Sequence, residues 1–261
     1  MRTPSVSRSE LAAPPSPMTG SEAEAVRRVS SAEGHALWAP TYDRDQNPLL
    51  ALEERKLEPL LPRPRGGFAL DVACGTGRWL GKLLQRGLDR AVGLDLSEEM
   101  LAQASAKVPL RGRLVCADCE LAPLRGDLAD LIICSFAIGY VRDLQALARE
   151  LARVSRPGAY LFISDFHPAG HEHGWRRGFR QGSEVVEITS CPRPIEVICR
   201  EFEKCGFKMR TKLEPSLGAP EKPVFEARGK AHVYEAVRRI PAIFICEFQL
   251  SSKLPAGGVG H

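Results

Sequence analysis

The sequence predicts an α/β fold: a doubly wound, mostly parallel sheet of seven strands, with N-terminal helices before it and a lid insertion in its C-terminal half. Three observations carry that expectation. From Phe68 to Phe166 short apolar runs alternate with amphipathic segments, the rhythm of strands buried on both faces and joined by covering helices. A glycine-rich turn, "ACGTG", joins the first run directly to its amphipathic segment. After Phe166 the alternation breaks, and a polar, His- and Arg-rich stretch precedes one more helix and two more strands.

Taken in order, residues 1–20 are rich in Ser, Pro and Ala with little to bury, which predicts a disordered tail. A helix is expected from Ser21 to Glu33, followed by a loop, "WAPTYDRDQN", that carries Trp38 and Tyr42. Asn47 as N-cap, Pro48 at the first helical position and Leu49, Leu52, Leu57 and Leu60 on one face predict a second helix, ended by Pro62 and Pro64. "FALDVA" reads as a buried strand and "RWLGKLLQRG" as a helix with Trp79, Leu80, Leu83 and Leu84 inward and Gly87 at its end. "AVGLDL" is the second strand, and Ser97 caps the helix "EEMLAQASAKV", whose first turn holds two acids as the helix dipole prefers. "RLVCAD", "DLIICSF", the helix "LQALARELARV" and the strand "AYLFISDF" follow. The helix "IEVICREFEKCG" and the strands "FKMRTKLE" and "AIFICEFQL" complete a domain over 66–251, with insertions at 167–191 and 215–239 and a flexible tail over 252–261.

Composition narrows the function classes. With 44% hydrophobic and 26% charged residues the chain reads as an ordinary globular protein. No apolar run approaches the ~20 residues that span a bilayer, and no apolar core follows the N-terminal arginines, so neither a membrane span nor a secretory signal is expected and a cytoplasmic location is the default. The eight cysteines are expected to be reduced; Cys116 and Cys119 make one C-x-x-C, half of what a tetrahedral zinc ion needs, and no metal is expected. The net charge of +4 comes from a surplus within 171–239, 14 Lys/Arg against 10 Asp/Glu, too modest for a nucleic-acid-binding stripe. It suits either an anionic small substrate or a solvated face.

The turn after the first strand belongs where such sheets bind ligands, beyond the carboxyl ends of the strands where strand order reverses. A nicotinamide fingerprint needs a third glycine; Gly75 and Gly77 fit the first two positions, but Leu80 occupies the third. Asp71, just before the turn, would repel a diphosphate and attract an ammonium, so a cofactor with an amino group and no phosphate suits the loop better. Asp95 ends the second strand, where a carboxylate can take both hydroxyls of a ribose. Asp118 and Cys119 end the third, where an adenine would lie.

"LDVACGTGRW", "GLDLSEEML", "CADCELAPL" and "RVSRPGAYLFISDF", in that order and spacing, resemble the class I S-adenosylmethionine-dependent methyltransferases, and most of all the small-molecule branch that includes the ubiquinone/menaquinone C-methyltransferases. The resemblance covers about residues 38–166. It implies a Rossmann-like methyltransferase fold and S-adenosyl-L-methionine as cofactor, touched by Asp71, Gly75, Thr76, Gly77, Asp95, Asp118, Cys119 and Ser135. "WAPTYD" is similar to the segment that closes over the cofactor in that family, which adds Trp38 and Tyr42 and makes 21–65 a cap. The plain alternatives are strand-end acids, a packing thiol at Cys119 and helix-docking aromatics.

The resemblance implies methyl transfer to oxygen or carbon of a small organic acceptor, anionic or aromatic. The stretch "SFAIGY" after the fourth strand lacks the (D/N)-P-P-(Y/F) of amine methylation. His167, directly after the fifth strand, is the candidate catalytic base, against a structural histidine. "HPAGHEH" is too rich in Gly and Pro to fix metal geometry, and "GWRRGFR" reads as an acceptor lid or a solvated arginine face. Two other readings stand beside the enzyme: a non-catalytic S-adenosylmethionine-binding regulator or partner subunit, and an RNA or protein methyltransferase. The oligomeric state is not encoded in any of these features.

Overall fold

The computed structural model describes residues 26–44, 46–62 and 66–251. The expected tails, 1–20 and 252–261, and the expected helix start at Ser21 lie outside the described residues, as does Pro64. The described residues divide into two compact units, one built on 62–164, 193–212 and 245–251, the other on 26–61, 165–192 and 213–244.

The first unit carries nearly all of a seven-stranded sheet in the order β4-β3-β2-β5-β6-β10-β9. Its strands are β2 (Ala69–Val72), β3 (Ala91–Asp95), β4 (Leu114–Cys116), β5 (Ala129–Ser135), β6 (Ser155–Phe166), β9 (Phe207–Leu213) and β10 (Ile243–Leu250). β2 pairs in parallel with β3 on one side (Ala69 opposite Ala91) and with β5 on the other (Ala69 opposite Leu131). Strand order therefore reverses between β2 and β5, because the chain winds outward from β2 to β4 and then returns to start again at β5. β10 runs antiparallel to its neighbours: His167 N–H donates to Ala242 O near one end, and Gln249 reaches Gly158 O near the other. Leu131, Ile132 and Ile133 of β5 are wholly buried. Each side chain of this size contributes about 1.5–3 kcal/mol when removed from water, which is why the apolar run is nearly unbroken.

The helices fall where periodicity and caps place them. α3 (Arg78–Gln85) packs on β2 and β3 through Trp79, Leu80 and Leu83. α4 (Glu98–Ala106) starts at Ser97, whose Oγ accepts the Met100 N–H. α5 (Leu144–Val154) is capped by Asp143 and packs against α7 (Ile195–Glu203).

The second unit departs from the sequence expectation in two places. Where a helix is expected from Ser21 to Glu33, the described part is a strand, β1 (Val26–Val29), followed by α1 (Ser31–Trp38). The helix begins only at Ser30, whose side chain accepts the Glu33 N–H in the S-x-x-E pattern of a capping box. β1 exists because β8 (Glu184–Ile188), about 160 residues later, pairs with it in parallel; β7 (Gly178–Gln181) completes a three-stranded sheet. The insertion over 167–191 is thus ordered as α6 (Pro168–Glu172) and the β7–β8 hairpin, with Trp175 and Phe179 buried, in place of the loop its Gly, Pro and His content suggests. α2 (Pro48–Leu57) is capped by Asn47 as expected and buries Leu52 and Leu57. The second insertion forms α8 (Lys222–Glu226) and α9 (Ala231–Val237).

Gly34 of α1 lies flat on Ile188 of β8: a Cβ there would come within 2.6 Å of Ile188 Cγ1. Gly34→Ala forces the helix off the small sheet, a typical overpacking cost of about 1–3 kcal/mol despite the better helix propensity of Ala. A lower midpoint in chemical denaturation checks this; an unchanged or raised midpoint would show that the contact relaxes freely.

Candidate active site

The turn between β2 and α3 is shaped by two carboxylates. Asp71, 2% exposed, accepts the Leu80 N–H through Oδ2 at 2.8 Å, so a buried anion satisfies one of the orphan donors at the start of α3. Asp95 at the end of β3 accepts the Gly75 N–H at 2.7 Å through one oxygen and the Ser97 N–H at 2.8 Å through the other. Cys74 N–H continues the ladder to Leu94 O, and Gly77 N–H closes the turn on Cys74 O. Lys107 Nζ donates to Thr76 O at 2.7 Å; the Thr76 side chain is buried. The two glycines have different reasons. Gly75 sits at φ +54° with nothing within 4 Å of where a Cβ would stand, so its face is open. Gly77 sits at φ +79°, and a Cβ there would meet Leu110 Cδ1 at 2.4 Å.

Two non-glycine residues at the reversal point also take left-handed backbone conformations, Ala73 after β2 and Phe136 after β5, both at φ 53°. Such residues cost of order 1–3 kcal/mol each and cluster at ligand sites. Phe136 is held there by its N–H bond to Ser164 O at 2.8 Å. Beside it, Ser135 Oγ accepts from Arg78 Nη2 at 3.1 Å.

At the end of β4, Asp118 accepts the Glu120 N–H at 2.9 Å and pairs with Arg142 at 2.7 Å. Burial, then Asp118 and Glu120, push the Cys119 thiol up to about 12, so it is protonated at neutral pH. The fold thus gathers Asp71, Gly75, Thr76, Gly77, Asp95, Asp118, Cys119 and Ser135 at the carboxyl ends of β2, β3, β4 and β5. Sequence reading missed Lys107, Arg78 and Arg142, whose partners lie 24 to 57 residues away, and Leu96, 64% exposed directly after Asp95. The exposed leucine could have been found from its place beside the strand-end acid; the three basic residues had no local signal.

Trp38, Tyr42 and His167 belong to the other unit. Trp38 stacks on Phe179 with ring centroids 5.1 Å apart and meets Tyr42 edge-on at 4.8 Å. His167 is the N-cap of α6: its Nδ1 accepts the Ala169 N–H at 3.1 Å, and its Nε2 faces Glu214 Oε2 at 2.9 Å. Both ring nitrogens are therefore engaged within the fold. Arg177, expected in an acceptor lid or on a solvated arginine face, pairs instead with the buried Asp165 and lies over the Phe166 ring. Arg176 donates to the carbonyls of His171 and Trp175. Among the described residues no cluster of His, Cys, Asp or Glu could hold a metal ion.

The architecture defines a class: a doubly wound sheet with an acid-flanked glycine turn at its reversal point and acids at the next two strand ends. Known proteins agree. A family model described as "Methyltransferase domain" matches residues 70–163. The 2-phytyl-1,4-beta-naphthoquinone methyltransferase of Arabidopsis thaliana chloroplasts is 30% identical over 187 residues, 66% of this chain and 69% of that protein. The malonyl-[acyl-carrier protein] O-methyltransferase of Marinomonas sp. is 38% identical over 112 residues, and this chain spans only 42% of its length. The crystal structure of an S-adenosylmethionine-dependent methyltransferase from Mesorhizobium loti superposes with a TM-score of 0.60 over 78% of this chain and all of that one, at 21% identity, which shows a shared fold. This chain belongs to the class I S-adenosylmethionine-dependent methyltransferases. The family's cofactor is S-adenosyl-L-methionine.

His171 offers a pH test of the insertion. Burial, reinforced by Arg177 and Arg176, lowers its pKa to about 4, against 6.5 in a free chain. The unfolded chain therefore binds the proton more tightly, and the native state loses stability as pH falls from about 6.5 toward 4. Denaturant titrations at pH 7.5 and 5 should show a smaller acid loss in His171→Gln than in the parent protein; equal losses would place His171 in an ordinary solvated setting.

Proposed function

We propose that the chain transfers a methyl group from S-adenosyl-L-methionine to an oxygen or carbon of a small organic acceptor. The observation that carries this is the Asp95–Gly75 bond, which ties a strand-end carboxylate to a glycine turn whose Gly75 face is open. The residues suit that cofactor. Asp71, Gly75, Thr76 and Gly77 would surround the amino-acid portion, although Asp71 already uses one oxygen on Leu80. Asp95 would accept from the ribose hydroxyls while keeping its backbone bonds, since each carboxylate oxygen has a second lone pair. The exposed Leu96 offers an apolar surface for the base, with Asp118 accepting from its amine and Cys119 beside it. Ser135 lies next to the strained Phe136 at the neighbouring strand end, and Trp38 and Tyr42 belong to the segment assigned to closure. Without a third glycine and with Asp71 before the turn, the loop is ill suited to a diphosphate.

The cofactor supplies a methyl group already activated on a positive sulfur, so the protein's task is to align acceptor and methyl and to exclude water. The absence of a proline-rich amine-methylation motif at "SFAIGY" supports oxygen or carbon over nitrogen. The two relatives' names divide in the same way, between a naphthoquinone and an O-methyltransferase. We assign His167 to placing α6 and not to proton removal, because accepting the Ala169 N–H leaves no free lone pair on Nδ1. Among the described residues no helix is long and apolar enough to cross a membrane, and all eight cysteines are free thiols; both suit the cytoplasmic location proposed here.

Incubation with methyl-labelled S-adenosylmethionine and a panel of quinols, carboxylates and amines tests the reading, and label in amines alone would overturn the choice of atom. Asp95→Ala should weaken S-adenosylhomocysteine binding by about 2–4 kcal/mol in calorimetry; unchanged affinity would remove Asp95 from the site. His167→Ala should cost about 0.5–2 kcal/mol of stability as a lost cap. The pH–rate profile around neutrality should be retained. A rate loss of about 10²–10⁴ with disappearance of the neutral limb would make His167 the base after all.

A further inference from the structure

One side chain far from the candidate site in sequence is bound to the loop that leaves it after β5. Arg193, just before α7, donates through Nη1 to Ile138 O at 2.6 Å and through Nη2 to Val141 O at 2.6 Å and Arg142 O at 3.4 Å. These carbonyls belong to the loop after β5, whose first residue is the strained Phe136. The same loop ends in a grip on the loop after β4. Glu120 Oε1 accepts the backbone N–H groups of Arg142 at 2.8 Å and Asp143 at 3.3 Å, and the Arg142 guanidinium holds Asp118 Oδ2 at 2.7 Å. β4 and β5 are three strand spacings apart in the sheet, about 14 Å. Neither strand can therefore set the other's loop directly.

We infer that Arg193 and Arg142 are positioning residues acting in series: Arg193 fixes the backbone of 138–142, and that backbone aims Arg142 and, through it, the Asp118 carboxylate. The inference rests on the proposed S-adenosylmethionine site, in which Asp118 meets the base. Three carbonyls converging on one guanidinium form a rigid anchor, because the planar fork loses little freedom per bond. The left-handed conformation at Phe136 persists only where its surroundings over-determine it, and Arg193 with the Ser164 carbonyl does so from both ends. The Arg142–Asp118 pair is open to solvent, with Arg142 79% exposed, so it adds little to folding. Its geometry serves orientation.

Calorimetry with S-adenosylhomocysteine and its inosine counterpart, which carries a carbonyl in place of the base amine, tests the series. The parent protein should bind the adenine compound and reject the inosine one. Arg142→Gln should raise the Kd for the adenine compound about tenfold, lower the discrimination between the two and leave the melting temperature unchanged. Arg193→Ala should do the same at some cost in stability, and Arg193→Lys should restore part of the affinity. The double variant should be no weaker than the worse single. A multiplied, roughly hundredfold loss, or unaltered discrimination in Arg142→Gln, overturns the inference while leaving the cofactor assignment standing. Failure of the folded parent protein to bind S-adenosylhomocysteine overturns both. If Arg193→Ala does not fold, Arg142→Gln and Arg193→Lys still decide.

Discussion

The candidate site depends on a buried carboxylate at the start of a helix. Asp71 lies in β2 with every residue of that strand buried, and its Oδ2 receives the Leu80 N–H from the first turn of α3. A charge-assisted bond of this kind is short and strong in a medium of low polarity, and an unpaired carboxylate there would be costly. The bond fixes how α3 leaves the sheet. The chain then has only five residues, 73–77, in which to turn from strand to helix, which forces the left-handed conformations at Ala73, Gly75 and Gly77. Asp95 completes the arrangement from the next strand by receiving the Gly75 N–H.

The strain is distributed with a pattern. Ala73 and Phe136 follow β2 and β5, the two parallel neighbours between which strand order reverses. Both are held by main-chain bonds to the strand alongside, Cys74 N–H to Leu94 O and Phe136 N–H to Ser164 O. Backbone N–H and C=O groups used in this way extend the sheet's ladder past its formal end, so the loops inherit the rigidity of the sheet. A site that must align two reactants benefits from such loops, because alignment is lost when supporting groups wander by about an ångström.

The second unit uses different means. Its three-stranded sheet joins β1 to a hairpin from the insertion after β6, and two aromatic clusters pack beside its buried carboxylates Glu53, Asp165 and Glu221. Trp38, Tyr42 and Phe179 form one cluster, and Phe166, Trp175 and His171 another. The buried Arg177–Asp165 pair lies against the second. Arginines interleaved with aromatics, which in the sequence look available for an anionic ligand, are in large part absorbed by packing.

The sequence by itself determined the central sheet, its covering helices and the acid-and-glycine turn. The reason is that these are local: apolar runs, N-caps at Asn47 and Ser97 and the spacing from Gly75 to Asp95 are written in neighbouring residues. The cap at Ser30 was equally local, in Ser30 and Glu33, and the helical reading ran across it. Tertiary structure alone decided that residues 26–29 form a strand, since its partner β8 lies some 160 residues away and no short-range pattern announces such pairing. It alone showed that Arg142 reaches Asp118 and Lys107 the Thr76 carbonyl, that His167 spends both ring nitrogens inside the fold, and that Arg177 is paired. Hydrogen-bond partners of long polar side chains depend on which distant segments the packed core brings alongside, and one-dimensional spacing does not contain that information.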